Sequence, residues 1–223
     1  MKILAIDTSS KYASCAVQID GKTVSEKVLA TGLVHSKSLM PLVEDCLESA
    51  GVSLKDIDLL ACVAGPGSFT GVRIGVCAVK GLAQPFDKPC VAVNTLDCLK
   101  ENFPYVNGFV CPIMDARRGQ VYCAVYENGI IVKNYDACPI EELLEFVKNR
   151  ECVFLGDGAE VFKEKIVSVL GEKARFAPPH LNFTRSSAAA NIASEYTPVS
   201  CAALDAIYLR APQAEREYAN KKS

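Results

Sequence analysis

Four short stretches place ligand-holding residue types where apolar runs end. Residues 2–7 are apolar and close on Asp7-Thr8-Ser9-Ser10. The run Leu59-Leu60-Ala61-Cys62-Val63 leads into Ala64-Gly65-Pro66-Gly67-Ser68-Phe69-Thr70-Gly71-Val72-Arg73. A third apolar run ends in Met114-Asp115-Ala116-Arg117-Arg118-Gly119, and a fourth, 152–155, in Gly156-Asp157-Gly158. An aspartate at such a position either belongs to a working site or is a turn acid that accepts from nearby backbone N–H groups. The glycine-rich stretch has two readings as well. Glycines let backbone or an anion approach closely, and a helix N-terminus capped by Ser68 or Thr70 can hold a phosphate. Alternatively, they make a tight turn that packs a helix onto a sheet. The spacing is not that of a P-loop, because no Lys-Ser or Lys-Thr follows the last glycine, and it misses G-x-G-x-x-G by one residue.

Other chemistries find little support. The two histidines, His35 and His180, lie far apart with no i, i+4 partner, so no metal site is expected. G-x-S-x-G does not occur, which removes the nucleophile elbow of a hydrolase. The 11 cysteines are scattered singly with no C-x-x-C. Their number is odd and most fall in apolar segments, so they are expected to be reduced core thiols.

The elements that must position these stretches follow from pattern. Half of the 223 residues are hydrophobic and 22% are charged, which is ordinary for a globular chain of one large domain or two small lobes. A net charge of -2 offers no bulk attraction to nucleic acid. The first apolar run is too short for a secretory signal and none is long enough to span a membrane, so a cytoplasmic protein is expected. Strands are expected at 2–7, 13–19 and 22–29, with Asp20-Gly21 as a hairpin turn. A helix at 36–50 carries Leu39, Leu42, Val43, Cys46 and Leu47 on one face and stops at Gly51. The buried strand, glycine stretch and helix to 83 come next, then a strand at 90–93 and a helix at 95–101. Residues 102–108 read as a crossing. Strands at 109–114, 120–126 and 130–132, a helix at 140–148, a strand at 152–155 and a helix at 159–170 repeat the plan. An alanine-rich helix at 186–195 and a polar tail, frayed from about 213, end the chain.

Two β-β-β-α-β-α units predict an α/β protein of two lobes, 1–103 and 104–223, the second reduced. This plan resembles the actin-like, sugar-kinase-like ATPases, in which nucleotide lies between the lobes. The resemblance makes Asp7, Gly65, Gly67, Ser68, Gly156 and Gly158 candidates for a nucleotide-binding remnant, although Thr8 stands where a glycine would admit a phosphate. An autonomous ATPase or kinase is therefore one expectation.

A closer resemblance is carried by Ile6-Asp7-Thr8-Ser9, His35-Ser36, the Ala64–Arg73 stretch, Met114–Tyr122, Gly156-Asp157-Gly158 and Tyr208-Leu209-Arg210. In this order they are similar to the TsaB (formerly YeaZ) family. The resemblance implies a role in forming threonylcarbamoyladenosine at position 37 of tRNAs reading codons that begin with A. It implies a non-catalytic partner of TsaD, the transferase, with TsaE as a further partner, tRNA held through the complex, and any ATP or ADP at the junction with TsaD. TsaD-like proteins carry a metal-binding His-x-x-x-His where this chain has Thr95 and Leu99, so no metal is expected here. The first-lobe helices are implied to form the surface for a homodimer and for TsaD. Leu39, Val43, Gly71, Val72, Gly75, Val76 and Val79 are the expected interface residues, with no catalytic residue.

Overall fold

The computed structural model describes residues 1–30, 35–103 and 107–210. The first sheet has the order β3-β2-β1-β4-β5, built from β1 (Lys2–Asp7), β2 (Ala13–Ile19), β3 (Lys22–Leu29), β4 (Leu59–Gly65) and β5 (Cys90–Asn94). β1 runs antiparallel to β2 and parallel to β4, which is parallel to β5. Both faces of β1 and β4 are covered, so these strands are apolar throughout instead of alternating. Leu4, Ile6 and Cys62 face α1 (His35–Ser49) and α2 (Phe69–Ala83). Ile3, Ala5, Ala61 and Val63 face the opposite way.

The second sheet repeats that order as β10-β9-β6-β7-β8. Its strands are β6 (Phe109–Asp115), β7 (Gln120–Glu127), β8 (Ile130–Pro139), β9 (Cys152–Leu155) and β10 (Ala174–Phe176). The expected trimming lies in the helices, not in the strand count. α4 (Ile140–Val147), α5 (Asp157–Val161) and α6 (Lys163–Leu170) have 8, 5 and 8 residues, against 15 in each of α1 and α2. The single helix expected at 159–170 breaks at Phe162, and β8 runs on past 132 to Pro139.

The lobes are not cut cleanly at residue 103. α3 (Thr95–Lys100) buries Leu96 and Leu99 against Val110, Met114 and Leu155 of the second sheet. Its Asp97 carboxylate accepts from the hydroxyls of Tyr126 (2.5 Å), Tyr135 (2.8 Å) and Tyr196 (3.5 Å). α7 (Ser186–Ala193), which the sequence placed with the second lobe, packs its Ala189, Ala190 and Ala193 under Ile3, Ala5 and Val63 of the first sheet. Ser186 Oγ lies 2.7 Å from Ser14 Oγ on β2. Residues 199–210 then return as a strap along the first lobe. Val199 pairs with Cys90, and the Ile207 amide donates to the Ala64 carbonyl at 2.7 Å. Tyr208 Oη accepts from Arg73 Nε at 2.9 Å, and Arg210 reaches across to donate to the Ala116 carbonyl at 3.0 Å. The middle of the expected crossing, 104–106, and the frayed tail from about 213 lie outside the described residues. No helix among the described residues is long and apolar enough to cross a membrane.

Candidate functional site

The aspartates that end the first strand of each lobe do the same local work. Asp7 Oδ1 accepts from the Ser9 amide at 2.7 Å, and Asp115 Oδ1 accepts from the Arg117 amide at 2.7 Å. Each carboxylate closes a turn over the amide two residues on, the turn-acid alternative of the sequence reading. Asp7 is 1% exposed, and its second oxygen accepts from the Thr184 hydroxyl. Burial pushes its carboxyl pKa up, opposed by the Thr184 hydroxyl and the Ser9 amide. A folded-state pKa above the unfolded value near ~3.9 means stability is greatest in acid and falls as pH rises through the folded pKa. Asp7→Asn removes that titration. The variant is expected to match or exceed the parent's stability at pH 7 and to show a flatter urea-midpoint profile from pH 4 upward. A steeper profile would mean that the charged carboxylate stabilises the fold.

The glycines are explained by the chain's own backbone. A Cβ on Gly67 would meet the Ser9 carbonyl oxygen at 2.3 Å, and one on Gly71 the Thr8 carbonyl oxygen at 2.1 Å. Gly75 faces Thr8 Oγ1 in the same way, at 2.6 Å. The contact is fixed by hydrogen bonds: Ser68 N donates to Ser9 O at 2.7 Å and Thr8 Oγ1 donates to Gly71 O at 2.7 Å. Ser68, not Thr70, caps α2, its Oγ accepting from Gly71 N at 3.3 Å. Gly65, at φ +117°, turns its missing Cβ toward the Ile207 carbonyl of the strap, which would be 2.4 Å away. Gly156 (φ +96°) and Gly158 lie against the Ile113 carbonyl at 2.2 and 3.0 Å by the same measure.

Between the lobes opens a cleft of about 1020 Å³. The first lobe contributes Ser9, Ser10, Lys11, His35 and the stretch from Pro66 to Thr70; the second contributes Met114 to Arg118 and Asp157. The strap closes one side with Ile207 to Arg210. Of the six residues expected to bind nucleotide, only Gly67 and Ser68 line this cleft, while Asp7, Gly65, Gly156 and Gly158 do not. Asp157 Oδ1 accepts from the Asp115 amide at 3.1 Å, and burial raises the Asp157 pKa despite that bond. Arg117 and Arg118 sit at the tip of the β6–β7 hairpin with φ of +63° and +55°, a region L-residues rarely occupy. Sequence reasoning quoted both arginines, and Arg210 as part of Tyr208-Leu209-Arg210, but did not place Arg210 beside them and had no signal for Lys11. Among the described residues, Ser9 Oγ and His35 Nδ1 are buried without a hydrogen-bond partner.

The expected interface residues point inward. Leu39, Val43, Val72, Val76 and Val79 are 0 to 6% exposed and belong to the first lobe's core, and Gly71 and Gly75 face Thr8. Each helix has one broad apolar stripe, and the sheet needs it. The outward face of the same two helices carries Met40, Glu44, Arg73, Cys77 and Gly81. Thr95 and Leu99 are 0 and 2% exposed, within the packing between the lobes. Among the described residues, Asp136, Cys138 and Glu142 come close enough to hold a cation, but the Lys133 ammonium already sits 2.9 Å from Asp136 and 3.5 Å from Glu142. All 11 cysteines are free.

Two five-stranded sheets of identical order, facing each other across a cleft, define a two-lobed protein of the actin-like, sugar-kinase-like fold. A likeness of fold alone extends to component A of the (R)-2-hydroxyglutaryl-CoA dehydratase of Acidaminococcus fermentans, at TM-score 0.50 and 14% identity over 86% of this chain and 97% of that one. The model of the family described as TsaD: tRNA N6-adenosine threonylcarbamoyltransferase matches residues 31–215. The tRNA threonylcarbamoyladenosine biosynthesis protein TsaB of Bacillus subtilis is 34% identical over 98% of this chain and 98% of its own. The solved structure of YeaZ from Pseudomonas aeruginosa superposes with TM-score 0.79 at 25% identity, covering 93% of this chain and 99% of that one. The chain belongs to the TsaB/YeaZ family, within the wider group that the TsaD model describes.

Proposed function

We propose that this chain is the non-catalytic activator of a TsaD-type transferase in the synthesis of threonylcarbamoyladenosine at position 37 of tRNAs reading codons that begin with A. Family membership supplies the role in tRNA threonylcarbamoyladenosine biosynthesis. The observation that favours an activator over an enzyme is the use of Asp7 and the glycines inside the fold. An autonomous ATPase of this architecture would turn its strand-end aspartate toward a nucleotide, whereas Asp7 is sealed under Thr184. Thr95 and Leu99 offer no ligand to a catalytic metal. The reading assigns the outward faces of α1 and α2 to the TsaD-type partner and, in its absence, to a second copy of this chain. A TsaE-type ATPase joins the pair, tRNA is held by the assembly, and any ATP or ADP sits at the junction between subunits.

Reconstitution tests this directly. Purified TsaD and TsaE homologues from the same organism are supplied with tRNA and the threonylcarbamoyl-adenylate donor, with and without this chain. Modification is expected only when the chain and the TsaD homologue are both present, and none from the chain alone. Equal modification without the chain would end the activator reading. ATP turnover by the isolated chain that Asp7→Asn abolishes would establish the autonomous enzyme instead.

A further inference from the structure

We propose that Cys123 and Cys138 form an oxidation site for a hydroperoxide, with Cys138 as the thiol that attacks it and Cys123 as the thiol that then closes a disulfide. The two sit on neighbouring antiparallel strands of the second sheet: Cys123 on β7 pairs with Asp136, and Cys138 on β8 pairs with Val121. Cross-strand partners share a face and alternate residues of a strand do too, so both thiols face the same core as diagonal neighbours. Their sulfurs lie 3.6 Å apart, one thiol donating to the other. Closing a disulfide brings the sulfurs from that 3.6 Å to about 2.0 Å. The strands have slack where it is needed, since the β7–β8 register shifts between Cys123 and Val125 and again between Val125 and Tyr126. β8 is also the edge strand of its sheet.

Access singles out Cys138 as the attacking thiol. It is 3% exposed against 0% for Cys123, and it lies beside the carboxylates of Asp136 and Glu142, whose side chains are 41 and 58% exposed. A molecule as small as hydrogen peroxide reaches the thiol once those side chains move aside. The thiol–thiol hydrogen bond holds the Cys138 pKa down against burial, and at Cys123 it acts with burial to push the pKa up. The nearby Lys133 ammonium favours the thiolate, which is the nucleophile, at both positions.

The chemistry balances in two steps. The Cys138 sulfur attacks one peroxide oxygen: an S–O bond forms, the O–O bond breaks, and Cys138 becomes a sulfenic acid as one water leaves. The Cys123 sulfur then attacks the Cys138 sulfur: the S–S bond forms, the S–O bond breaks, and the hydroxyl leaves as water with the Cys123 proton. Two thiols lose two electrons and one peroxide becomes two waters. A small dithiol reverses the bond by exchange.

The test uses the full chain without partners, so its outcome is independent of the activator reading. Reduced protein is treated with hydrogen peroxide, remaining thiols are alkylated in denaturant, and the chain is cut with trypsin. Cleavage after Arg118, Lys133 and Lys148 leaves each cysteine alone in its own peptide, 119–133 and 134–148. The expected product is these two peptides joined, lighter than their sum by two hydrogens and separated again by dithiothreitol. In Cys123→Ala the sulfenic acid has no thiol to condense with, so dimedone is expected to label peptide 134–148 about fivefold more than in the parent. Circular dichroism checks the fold of that variant, and the linked peptide in the parent stands without it. Recovery of the two peptides unlinked, at peroxide levels that oxidise the exposed Cys77, would overturn the proposal. So would dimedone labelling of Cys123 in Cys138→Ala as strong as that of Cys138 in the reciprocal variant.

Discussion

Gly71→Ala is expected to lower the unfolding free energy by about 3 kcal/mol, the upper end of what overpacking a tight core costs. In a chain of this size that is a fall in Tm of roughly 6–12 °C. The new methyl would lie 2.1 Å from the Thr8 carbonyl oxygen, which belongs to the turn at the end of the central strand. That turn cannot retreat, because Thr8 Oγ1 is bonded to Gly71 O and Ser9 O to Ser68 N. Gly81→Ala, ten residues further along the same helix, is expected to go the other way. Nothing lies within 4 Å of its Cβ position, so alanine removes a flexible residue from the helix and adds about 0.5–1 kcal/mol. Urea unfolding of the two variants beside the parent measures both signs. A Gly71→Ala protein within about 0.5 kcal/mol of the parent would show that the contact between helix and turn has slack.

The second large effect concerns the partner surface. If the outward faces of α1 and α2 meet the TsaD-type subunit, Met40→Glu combined with Cys77→Glu should cut tRNA modification roughly thirtyfold or more. Both positions are exposed, so the thermal midpoint of the isolated chain should move by no more than about 2 °C. Val76→Glu gives no such separation. Val76 is 6% exposed in the core, and an unpaired carboxylate there would unfold the chain before it tested any interface. Modification by the double variant at the parent rate, with saturating partner, would remove this face from the proposed contact.

The stripe on α2 shows where sequence reading stopped. Val72, Val76 and Val79 at helical spacing say that a face is covered, but periodicity carries no information about whether the cover is the chain itself or another molecule. The glycine stretch behaved similarly. Its composition announced a close approach, and both a phosphate and the Thr8–Ser9 backbone satisfy that requirement; only the fold decides for the backbone. The duplicated plan was legible because each unit has strongly apolar central strands and a hairpin turn of the Asp20-Gly21 or Asn128-Gly129 type. β10 was not legible, since three residues are too few to display alternation. Nor was the destination of α7. Alanines at 188–190 and 193 announce a buried helix, yet nothing local distinguishes the first sheet from the second. The cleft's cations come from places 11, 117 and 210 residues along the chain, and only the closing of the strap brings Arg210 to the others.

The return of α7 and the strap to the first sheet has a consequence for how the protein is made. During synthesis, the residues of the first lobe emerge first, yet Ile3, Ala5, Val63 and Val91 wait for alanines nearly a hundred residues downstream of that lobe to cover them. The nascent amino-terminal half therefore leaves the ribosome with one side of its central sheet bare, a surface that invites aggregation or chaperone capture. The second lobe, whose sheet and helices are contiguous in the chain, completes its own core before the first does. Maturation thus runs inward from the later-made half to the earlier-made one, and docking of α7 and the strap is the step that closes the first lobe.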